Sequence, residues 1–420
     1  MIHPRQSRSL LLRHRDFRLL WLGRTVSLFG SEVTAYVLPL LAVITLHATP
    51  AQAAVLRALE YAPAMLVGLL AGAWVDRLRR RPLLIATDLL QVSLLLSLPL
   101  GYTAHLLHIA SLGMIVVALS VVGAVAFPAA TAFLPAVVTR AELIEANSAL
   151  SASGSLAQIL GPGLAGGLVQ LLAAPFAVAI DALSFLISAL ALARVRTIER
   201  APVSAVHGPR LWEDIREGMQ ALIGNRYLRA FVLSSATLNL FWNALMAVYF
   251  IYVTRDLRLP PLAFGLIFGI GSIGALAGSV AAARIARRLG PGPAIIVAQL
   301  VLGAGGLLIA VAVRLPMAAL PLLTAAEAVQ GGANAVYGIA CGSVMQAVTP
   351  DRLRGRVAAS RRVLGLAAVV VGSLLGGVLG EQVGVSRTMI VGAVGGTLAF
   401  VWLVVSPLPR LRTLPMPSEQ

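Results

Sequence analysis

The stretch Gly72-Ala73-Trp74-Val75-Asp76-Arg77-Leu78-Arg79-Arg80-Arg81-Pro82 decides how the rest of the sequence is interpreted. An apolar run that begins near Gln52 ends here in one carboxylate and four arginines, and a second apolar run begins at Leu83. Each run is long enough to cross the roughly 30 Å hydrocarbon layer of a bilayer as a helix. The stretch therefore predicts a short basic connection between two membrane-spanning helices.

The composition of the whole chain indicates the same class of protein. Of its 420 residues, 58% are hydrophobic and 12% are charged, and the mean hydropathy is +0.88. A soluble core cannot bury so large an apolar fraction, so the sequence predicts a membrane protein. One cysteine, Cys341, excludes an internal disulfide, and the six histidines show no metal-binding spacing. We therefore expect no metal and no cofactor.

Apolar runs of spanning length occur twelve times, in two groups of six. They lie at about 17–46, 52–75, 83–105, 109–136, 147–172 and 175–196, and then at about 226–254, 262–289, 292–313, 317–347, 357–381 and 387–406. The predicted fold is an all-α membrane protein of two six-helix bundles, 17–196 and 226–406. A lead at 1–16, an amphipathic linker at 197–225 and a tail at 407–420 complete the chain.

The positions of the arginines predict the orientation in the membrane. Of the 33 basic residues, 27 are arginines on connections at the side of both termini, four lie on the opposite side, and two lie within helices. Because connections rich in arginine stay in the cytoplasm, we expect both termini there and the chain in the plasma (inner) membrane. This distribution also explains the net charge of +16 without nucleic-acid binding.

The two groups of helices resemble each other in sequence. A shift of 210 residues places Val138–Leu143 on Val348–Leu353 and Gly166-Gly167 on Gly376-Gly377. Loop matches of this kind are harder to obtain by chance than matches between apolar helices. The sequence therefore predicts two pseudo-symmetric halves, an organisation common in secondary transporters.

The spacing G-x-x-x-D-R-x-x-R-R at Gly72 to Arg81 resembles the signature loop of the major facilitator superfamily, with Arg79 at the place of a second glycine. The resemblance implies a cytoplasmic gate in which Asp76 lies against the N-terminal end of a helix from the other half. Gly72, Arg77, Arg80 and Arg81 complete the gate motif. We expect Arg80 or Arg81 to reach Glu142 or Glu145 in the next cytoplasmic loop.

Further segments narrow the resemblance to one branch of the superfamily. Phe17–Gly23, Ser27–Gly30 and Asp181–Phe185 are similar to macrolide efflux proteins and to the enterobactin exporter. This implies a monomer in the lipid bilayer that exports a bulky amphipathic small molecule, either a drug or a siderophore, by alternating access and proton antiport. An importer or facilitator of a metabolite, or a lysophospholipid flippase of the same fold, stays an alternative.

Two other classes of protein do not fit the sequence. The chain contains no G-x-x-x-x-G-K-[ST] phosphate loop and no soluble segment large enough to bind ATP, which disfavours a primary pump. It also lacks a paired-carboxylate, Ser/His or metal-ligand spacing at any helix end, so we do not expect an enzyme.

The fifth predicted helix carries a candidate bending motif, Gly161-Pro162 followed by Gly166-Gly167. It resembles the antiporter motif of drug exporters, with one residue more between the two pairs. Proline removes a helical hydrogen bond and kinks the helix, and the glycines permit close helix contact. The alternative is that glycine is simply frequent in membrane helices.

Acidic residues inside the apolar runs are the candidates for proton coupling and substrate binding. Glu32 lies roughly 22 Å along the first helix, and Glu327 roughly 16 Å into the tenth, so we place both near the bilayer midplane. A carboxyl group in hydrocarbon is costly unless it faces protein or water. In a partly dehydrated cavity it can hold a proton near neutral pH and release it when the cavity opens.

Other ionisable groups allow two interpretations each. Glu60 and Arg57 share a helix face, and Arg24 and Asp88 lie at similar depths, so each pair is either a structural ion pair or part of the transport path. Asp181 either braces the outer end of helix six or carries protons.

Polar side chains among aromatic ones suggest a surface for an amphipathic ligand. Asn239 and Asn243 share a face beside Trp242, and Gln330 and Asn334 extend the face that carries Glu327. The amides are alternatively hydrogen-bonding contacts that hold helices together.

Overall fold

The computed structural model describes residues 10–75, 77–197, 199 and 211–413. Within these ranges the chain forms helices and no strand. Inside a bilayer every backbone N–H and C=O must find a partner within the protein, and the helix satisfies this requirement segment by segment.

The described chain contains twelve long helical segments, which confirms the predicted fold class. A short helix, α1 (Leu10–Arg13), precedes the six segments of the first half, which are α2 (Arg15–Leu40), α3 (Pro50–Val75), α4 (Arg80–Thr103), α5 (Ile109–Val137), α6 (Leu143–Leu172) and α7 (Ala174–Arg194). The linker helix is α8 (Leu211–Gly224). The second half contains α9 (Arg226–Ile251), α10 (Pro261–Leu289), α11 (Pro291–Val311), α12 (Ala319–Val348), α13 (Arg354–Gln382) and a last segment built from α14 (Val385–Leu398) and α15 (Phe400–Val404).

Ten segments in the described chain are both long and apolar enough to cross a membrane. The two remaining long helices are α3 and α12, which carry Arg57 with Glu60 and Glu327 with two amides, respectively. Both helices are nevertheless long enough to cross a membrane.

The helix boundaries of the two halves repeat with a constant spacing. Long helices begin at Arg15 and Arg226, which are 211 residues apart, and one-turn 3-10 helices begin at Arg140 and Asp351, again 211 apart. Both first helices continue into a π-helical turn, at Leu41–Thr45 and Tyr252–Asp256. The spacing predicted from sequence, 210, is one residue shorter than the spacing of these helix starts.

The helix pairings also repeat. In the first half α2 packs against α6 and α7, and α4 packs against α5 and α7. In the second half α9 packs against α13 and α14, and α11 packs against α12 and α14. These four helix pairings are therefore repeated in the two halves.

The chain divides into two compact units. The first contains residues 1–46 and 63–209, and the second contains residues 47–62 and 210–420. The first part of α3 is therefore counted with the second unit. There a Cβ on Gly377 of α13 would lie 2.4 Å from the Ala54 Cβ, so α3 and α13 approach closely.

The linker helix α8 lies against α13 within the second unit. A Cβ on Gly218 would lie 2.4 Å from the Arg356 carbonyl oxygen and from the Ser360 hydroxyl, so only glycine permits this approach. Glu217 forms an ion pair with Arg356 and a longer one, 3.9 Å, with Arg352. These contacts fasten the linker to the arginine-rich end of α13.

Candidate functional site

In the first unit, the candidate bending motif of α6 contacts the candidate acid of α2. A Cβ on Gly161 would lie 2.6 Å from the Glu32 Cβ, so the absence of a side chain at Gly161 makes room for Glu32. Gly161, Pro162 and Gly166 are buried, whereas Gly167 has no heavy atom within 4 Å of its Cβ position. Glu32 is half-buried. Its carboxylate forms no hydrogen bond or ion pair with another described residue.

Asp181 lies between α7 and α2, with 1% of its surface exposed. The Thr34 hydroxyl donates to Oδ2 at 2.6 Å, and the Ser184 hydroxyl donates to Oδ1 at 2.9 Å. A Cβ on Gly30 would lie 2.3 Å from Asp181 Oδ1, so glycine is needed for the two helices to meet here. Both carboxylate oxygens have partners, which supports the bracing interpretation of Asp181.

Arg24 and Asp88 interact electrostatically, as their similar depths predicted. Asp88 is 6% exposed and lies beside the Ser188 hydroxyl, while its Oδ2 atom accepts no hydrogen bond from the described residues. This electrostatic interaction within one unit is compatible with the structural interpretation of the pair.

In the second unit, Arg57 contacts Asn243, an amide for which sequence analysis left open a ligand-binding or a helix-packing role. Arg57 Nη2 and Nε donate to the Asn243 side-chain oxygen at 3.0 and 3.3 Å, and its guanidinium lies 5.7 Å from the centre of the Tyr61 ring. Arg57 also interacts electrostatically with Glu60, as expected. Asn243 is 4% exposed, so it joins α3 to α9 and does not face open space.

Glu327 is the most isolated acid among the candidates. Its side chain, on α12, is 8% exposed, and its Oε1 atom is buried without a hydrogen-bond partner among the described residues. A Cβ on Gly271 of α10 would lie 3.1 Å from the Glu327 Cβ. One turn further along α12, Gln330 packs over Gly305 of α11, and its Nε2 atom is also buried without a described partner.

The helices around Glu327 approach each other unusually closely. A Cβ on Gly274 of α10 would lie 2.0 Å from the Ala328 carbonyl oxygen, and one on Gly278 would lie 2.2 Å from the Gly332 carbonyl oxygen. Such distances are possible only between backbones without intervening side chains. Glu327 is therefore held between two helices that are in contact along several turns.

The remaining candidates of the second unit lie in different surroundings. The Asn239 side-chain amide donates to the Ser235 carbonyl oxygen at 2.7 Å, which keeps it on its own helix. Trp242 is half-buried, and Asn334 is exposed. Gln330 and Asn334 share a helix face by spacing, yet only Gln330 is buried.

The described residues of the predicted gate motif have contacts that differ from those predicted. The Arg81 side chain donates to the Leu192 and Ala193 carbonyl oxygens at 2.9 and 2.6 Å and thereby caps the end of α7. Glu145 instead accepts from the Leu10 amide at 2.7 Å, and Glu142 lies 3.0 Å from the His14 ring. Residues at the start of the chain, which sequence analysis did not consider, therefore take the place assigned to Arg80 or Arg81.

Other gate residues are only partly described. Gly72 lies in the last turn of α3, and Arg77 is exposed in the connection that follows. Asp76 lies outside the described residues, so its predicted contact with the N-terminal end of a helix from the other half stays a prediction.

Sequence analysis missed one buried polar side chain, Gln299 of α11. It is fully buried, and neither its Oε1 nor its Nε2 atom has a hydrogen-bond partner among the described residues. The sequence feature that could have identified Gln299 is that it is the single amide within the apolar run 292–313. Within the part of the chain that the structure describes, no cluster of three or more His, Cys, Asp or Glu residues has metal-site geometry.

Known proteins resemble this chain over nearly its whole length. It is 27% identical over 399 residues to the multidrug efflux pump Tap of Mycobacterium bovis, covering 93% of this chain and 92% of the relative. It is 28% identical over 365 residues to the pump of the same name from Mycolicibacterium fortuitum, covering 85% and 87%.

Solved structures confirm the fold. A bacterial homologue of the iron transporter ferroportin has a TM-score of 0.76 at 19% identity, covering 94% of this chain and 99% of that one. The nucleoside transporter NupG has a TM-score of 0.72 at 14% identity, covering 93% and 99%. The profile of the transmembrane secretion effector family matches residues 8–420. The chain therefore belongs to the transmembrane secretion effector family, and it is a membrane transporter of the major facilitator superfamily rather than an enzyme.

Proposed function

We propose that this transporter exports bulky amphipathic small molecules from the cytoplasm in exchange for protons. The similarity to proteins named multidrug efflux pumps extends over 93% of the chain, which supports export and a drug-like class of substrate. Siderophore-like compounds belong to the same physical class, because they also combine polar groups with an extended apolar surface.

The burial of Glu327 Oε1 without a hydrogen-bond partner among the described residues carries the proposal for proton coupling. An ionised carboxylate in a dry protein interior loses several kcal/mol of hydration unless a cation or hydrogen-bond donors replace the water. Oε1 of Glu327 has no such partner among the described residues. The carboxyl group is therefore protonated in this arrangement and is ready to release its proton when water enters.

The release of this proton provides the coupling step. When the transporter opens toward the cytoplasm, water reaches the Glu327 carboxylate and stabilises its charged form. A cationic or polar substrate then binds where the proton was bound. When the transporter opens to the outside, a new proton displaces the substrate. One carboxylate that holds the proton and the substrate alternately produces antiport.

Glu32 has a second role in the first unit. Its carboxylate forms no bond with a described residue, and its stem lies on Gly161 of the bending motif. A change in the bend of α6 at Pro162 thus displaces Glu32 directly. In the second unit, the exposed Asn334 and the half-buried Trp242 offer the substrate one polar and one aromatic surface.

Transport in inverted membrane vesicles tests the proposal. A fluorescent lipophilic cation should accumulate in vesicles that carry the wild-type protein when the vesicle interior is made more acidic than the medium. An uncoupler should abolish this accumulation. Glu327→Gln should reduce the gradient-driven rate at least tenfold, because an amide cannot release a proton. Asp351→Asn is the matched control, because Asp351 is 87% exposed and pairs only locally with Arg354.

Two results would contradict the proposal. Accumulation by the wild-type protein that persists with the uncoupler would indicate a facilitator rather than an antiporter. Gradient-driven transport at the wild-type rate by Glu327→Gln, at equal protein level, would remove Glu327 from the coupling step. A measurement of substrate uptake into right-side-out vesicles separates an importer from an exporter.

A further inference from the structure

A cavity of about 570 Å³ lies in the first unit, between the first turns of α4 and the segment that follows α7. One wall is basic and contains Arg79, Arg81 and Arg196. The other wall is apolar and contains Ile85 and Leu89 of α4. The transport mechanism proposed above uses neither wall, and the candidate acids are not among the residues that line the cavity.

Among the described residues that line the cavity, three are arginines and one is acidic. Asp16 lies next to this lining, where it accepts from the Arg196 N–H and the Thr197 hydroxyl at 3.0 and 2.8 Å. Glu199 is the only acid among the described residues that line the cavity, and its Oε1 atom accepts the backbone N–H groups of Arg80 and Arg81 at 3.1 and 3.2 Å. This carboxylate therefore caps the N-terminal end of α4. Arg79 and Arg196 are exposed. Within the lining, three guanidinium groups thus face one carboxylate that is already engaged.

The Arg81 guanidinium is held in a fixed position. It donates to the carbonyl oxygens of Leu192 and Ala193, which orient the group without cancelling its charge. A guanidinium that is fixed in this way loses little conformational freedom when it binds an anion. The cavity therefore contains one preorganised cation and two movable ones.

The apolar wall leads from the arginines into the membrane. Leu89 lies four residues after Ile85 and three residues after Ala86, so it is next to each of them on the surface of α4. Leu89 is 46% exposed. Leu89 lies roughly 12 Å from Arg81 along the helix axis. In a membrane-spanning helix an exposed leucine faces acyl chains. A ligand in this cavity accordingly needs an anionic group at one end and a hydrocarbon chain at the other.

We propose that the cavity binds an anionic phospholipid, with its phosphate between Arg79, Arg81 and Arg196 and an acyl chain along Ile85 and Leu89. Basic pockets between helices at the cytoplasmic side of a membrane protein are suited to such headgroups. Arginine forms charge-assisted hydrogen bonds to phosphate oxygens, and the geometry of its guanidinium permits two at once. The lipid is a bound partner of the transporter and not its cargo.

Native mass spectrometry of delipidated protein in detergent tests the proposal. The wild-type protein should retain phosphatidylglycerol more tightly than phosphatidylcholine during titration. Arg79→Gln with Arg196→Gln should weaken the binding of phosphatidylglycerol at least fivefold and leave the binding of phosphatidylcholine unchanged. Arg81 stays in place in this variant because it caps α7.

Two further variants keep the result independent of folding and of total charge. Arg287→Gln with Arg288→Gln removes two exposed arginines from the end of α10, outside the cavity, and should bind phosphatidylglycerol like the wild type. Ala86→Phe fills the cavity without a change of charge and should weaken phosphatidylglycerol binding.

Three outcomes would overturn the proposal. One is equal binding of phosphatidylglycerol by the wild type and by the Arg79 and Arg196 double variant. Another is an equal loss in the Arg287 and Arg288 control, which would indicate a general effect of charge. The third is displacement of the lipid by inorganic phosphate at a similar concentration, which would indicate a site for the free ion.

Discussion

Asp181 in the first unit and Glu327 in the second are both buried acids on membrane-spanning helices, with exposures of 1% and 8%. Asp181 accepts hydrogen bonds from Thr34 and Ser184, whereas Oε1 of Glu327 accepts none from the described residues. Burial alone therefore does not identify an acid that takes part in transport. In the function proposed above, the unpaired Oε1 atom distinguishes Glu327, which exchanges its proton, from Asp181, which fastens two helices.

The largest expected effect tests the Glu327 side of this comparison. Glu327→Leu should reduce gradient-driven transport more than tenfold while the melting temperature in detergent stays equal or rises. A leucine of similar volume removes the cost of burying a polar group that has no partner, and such replacements are often neutral or stabilising. Transport and thermal melting should be measured on the same preparation.

A fall in melting temperature of several degrees for Glu327→Leu would contradict this prediction. It would mean that Glu327 forms a stabilising contact, and the two acids would then not differ in kind. Glu327→Asp is the companion variant, because it keeps an ionisable group and should retain part of the transport activity.

Replacement of Asp181 tests the other side. Asp181→Ala leaves the Thr34 and Ser184 hydroxyls without their acceptor and creates a small cavity, so it should lower the free energy of unfolding by about 2–4 kcal/mol. Denaturant titration in mixed micelles measures the change. Asp181→Asn keeps an acceptor for Thr34 and should therefore lower the free energy of unfolding less than Asp181→Ala does. Unchanged stability together with a loss of coupling in Asp181→Asn would give Asp181 the role proposed for Glu327.

The bending motif extends the comparison to glycines of one helix. Gly161→Ala places a methyl group 2.6 Å from the Glu32 Cβ, whereas Gly163→Ala adds a methyl group with nothing within 4 Å. The first variant should lose about 1–3 kcal/mol of stability through overpacking and reduce transport several-fold. The second should behave like the wild type in both assays. Equal behaviour of the two variants would show that the contact with Glu32 is unimportant.

The smallest effect is expected at the amides of the second unit. Asn243→Ala removes the acceptor of Arg57 and should lower stability by about 1.5 kcal/mol, the lower end of the range for hydrogen bonds to a charged group, because Arg57 keeps its electrostatic interaction with Glu60. Asn334→Ala changes an exposed side chain and should leave stability unchanged but weaken the apparent affinity for substrate. Thermal melting and the concentration dependence of transport separate the two effects.

The sequence predicted the helices well because the length of an apolar run is set by the thickness of the bilayer. The predicted run 109–136 became Ile109–Val137, and 226–254 became a helix from Arg226 that continues to Asp256. The beginnings of helices whose first turn contains polar residues were predicted less well. For example, α6 begins at Leu143 and not near residue 147. There a 3-10 turn capped by Thr139 and Glu142 extends the helix toward the loop.

Side-chain partners could not be predicted with the same success. Depth along the helix indicated that Arg24 and Asp88 interact, because hydropathy fixes depth. The partners of Glu145 and Asn243 depend on which helix faces which, and an apolar sequence contains little information about that. Arg57 and Asn243 are 186 residues apart, and nothing in their local sequence predicts the contact.

The contact between α10 and α12 has a consequence for how a single proton can act over a long distance. Backbone lies against backbone at Gly274 and Gly278, so these two helices cannot slide or tilt separately without collision. We therefore expect α10 and α12 to move as one rigid body that carries Glu327. If Glu327 exchanges its proton as proposed, we expect α10 and α12 to move together in response.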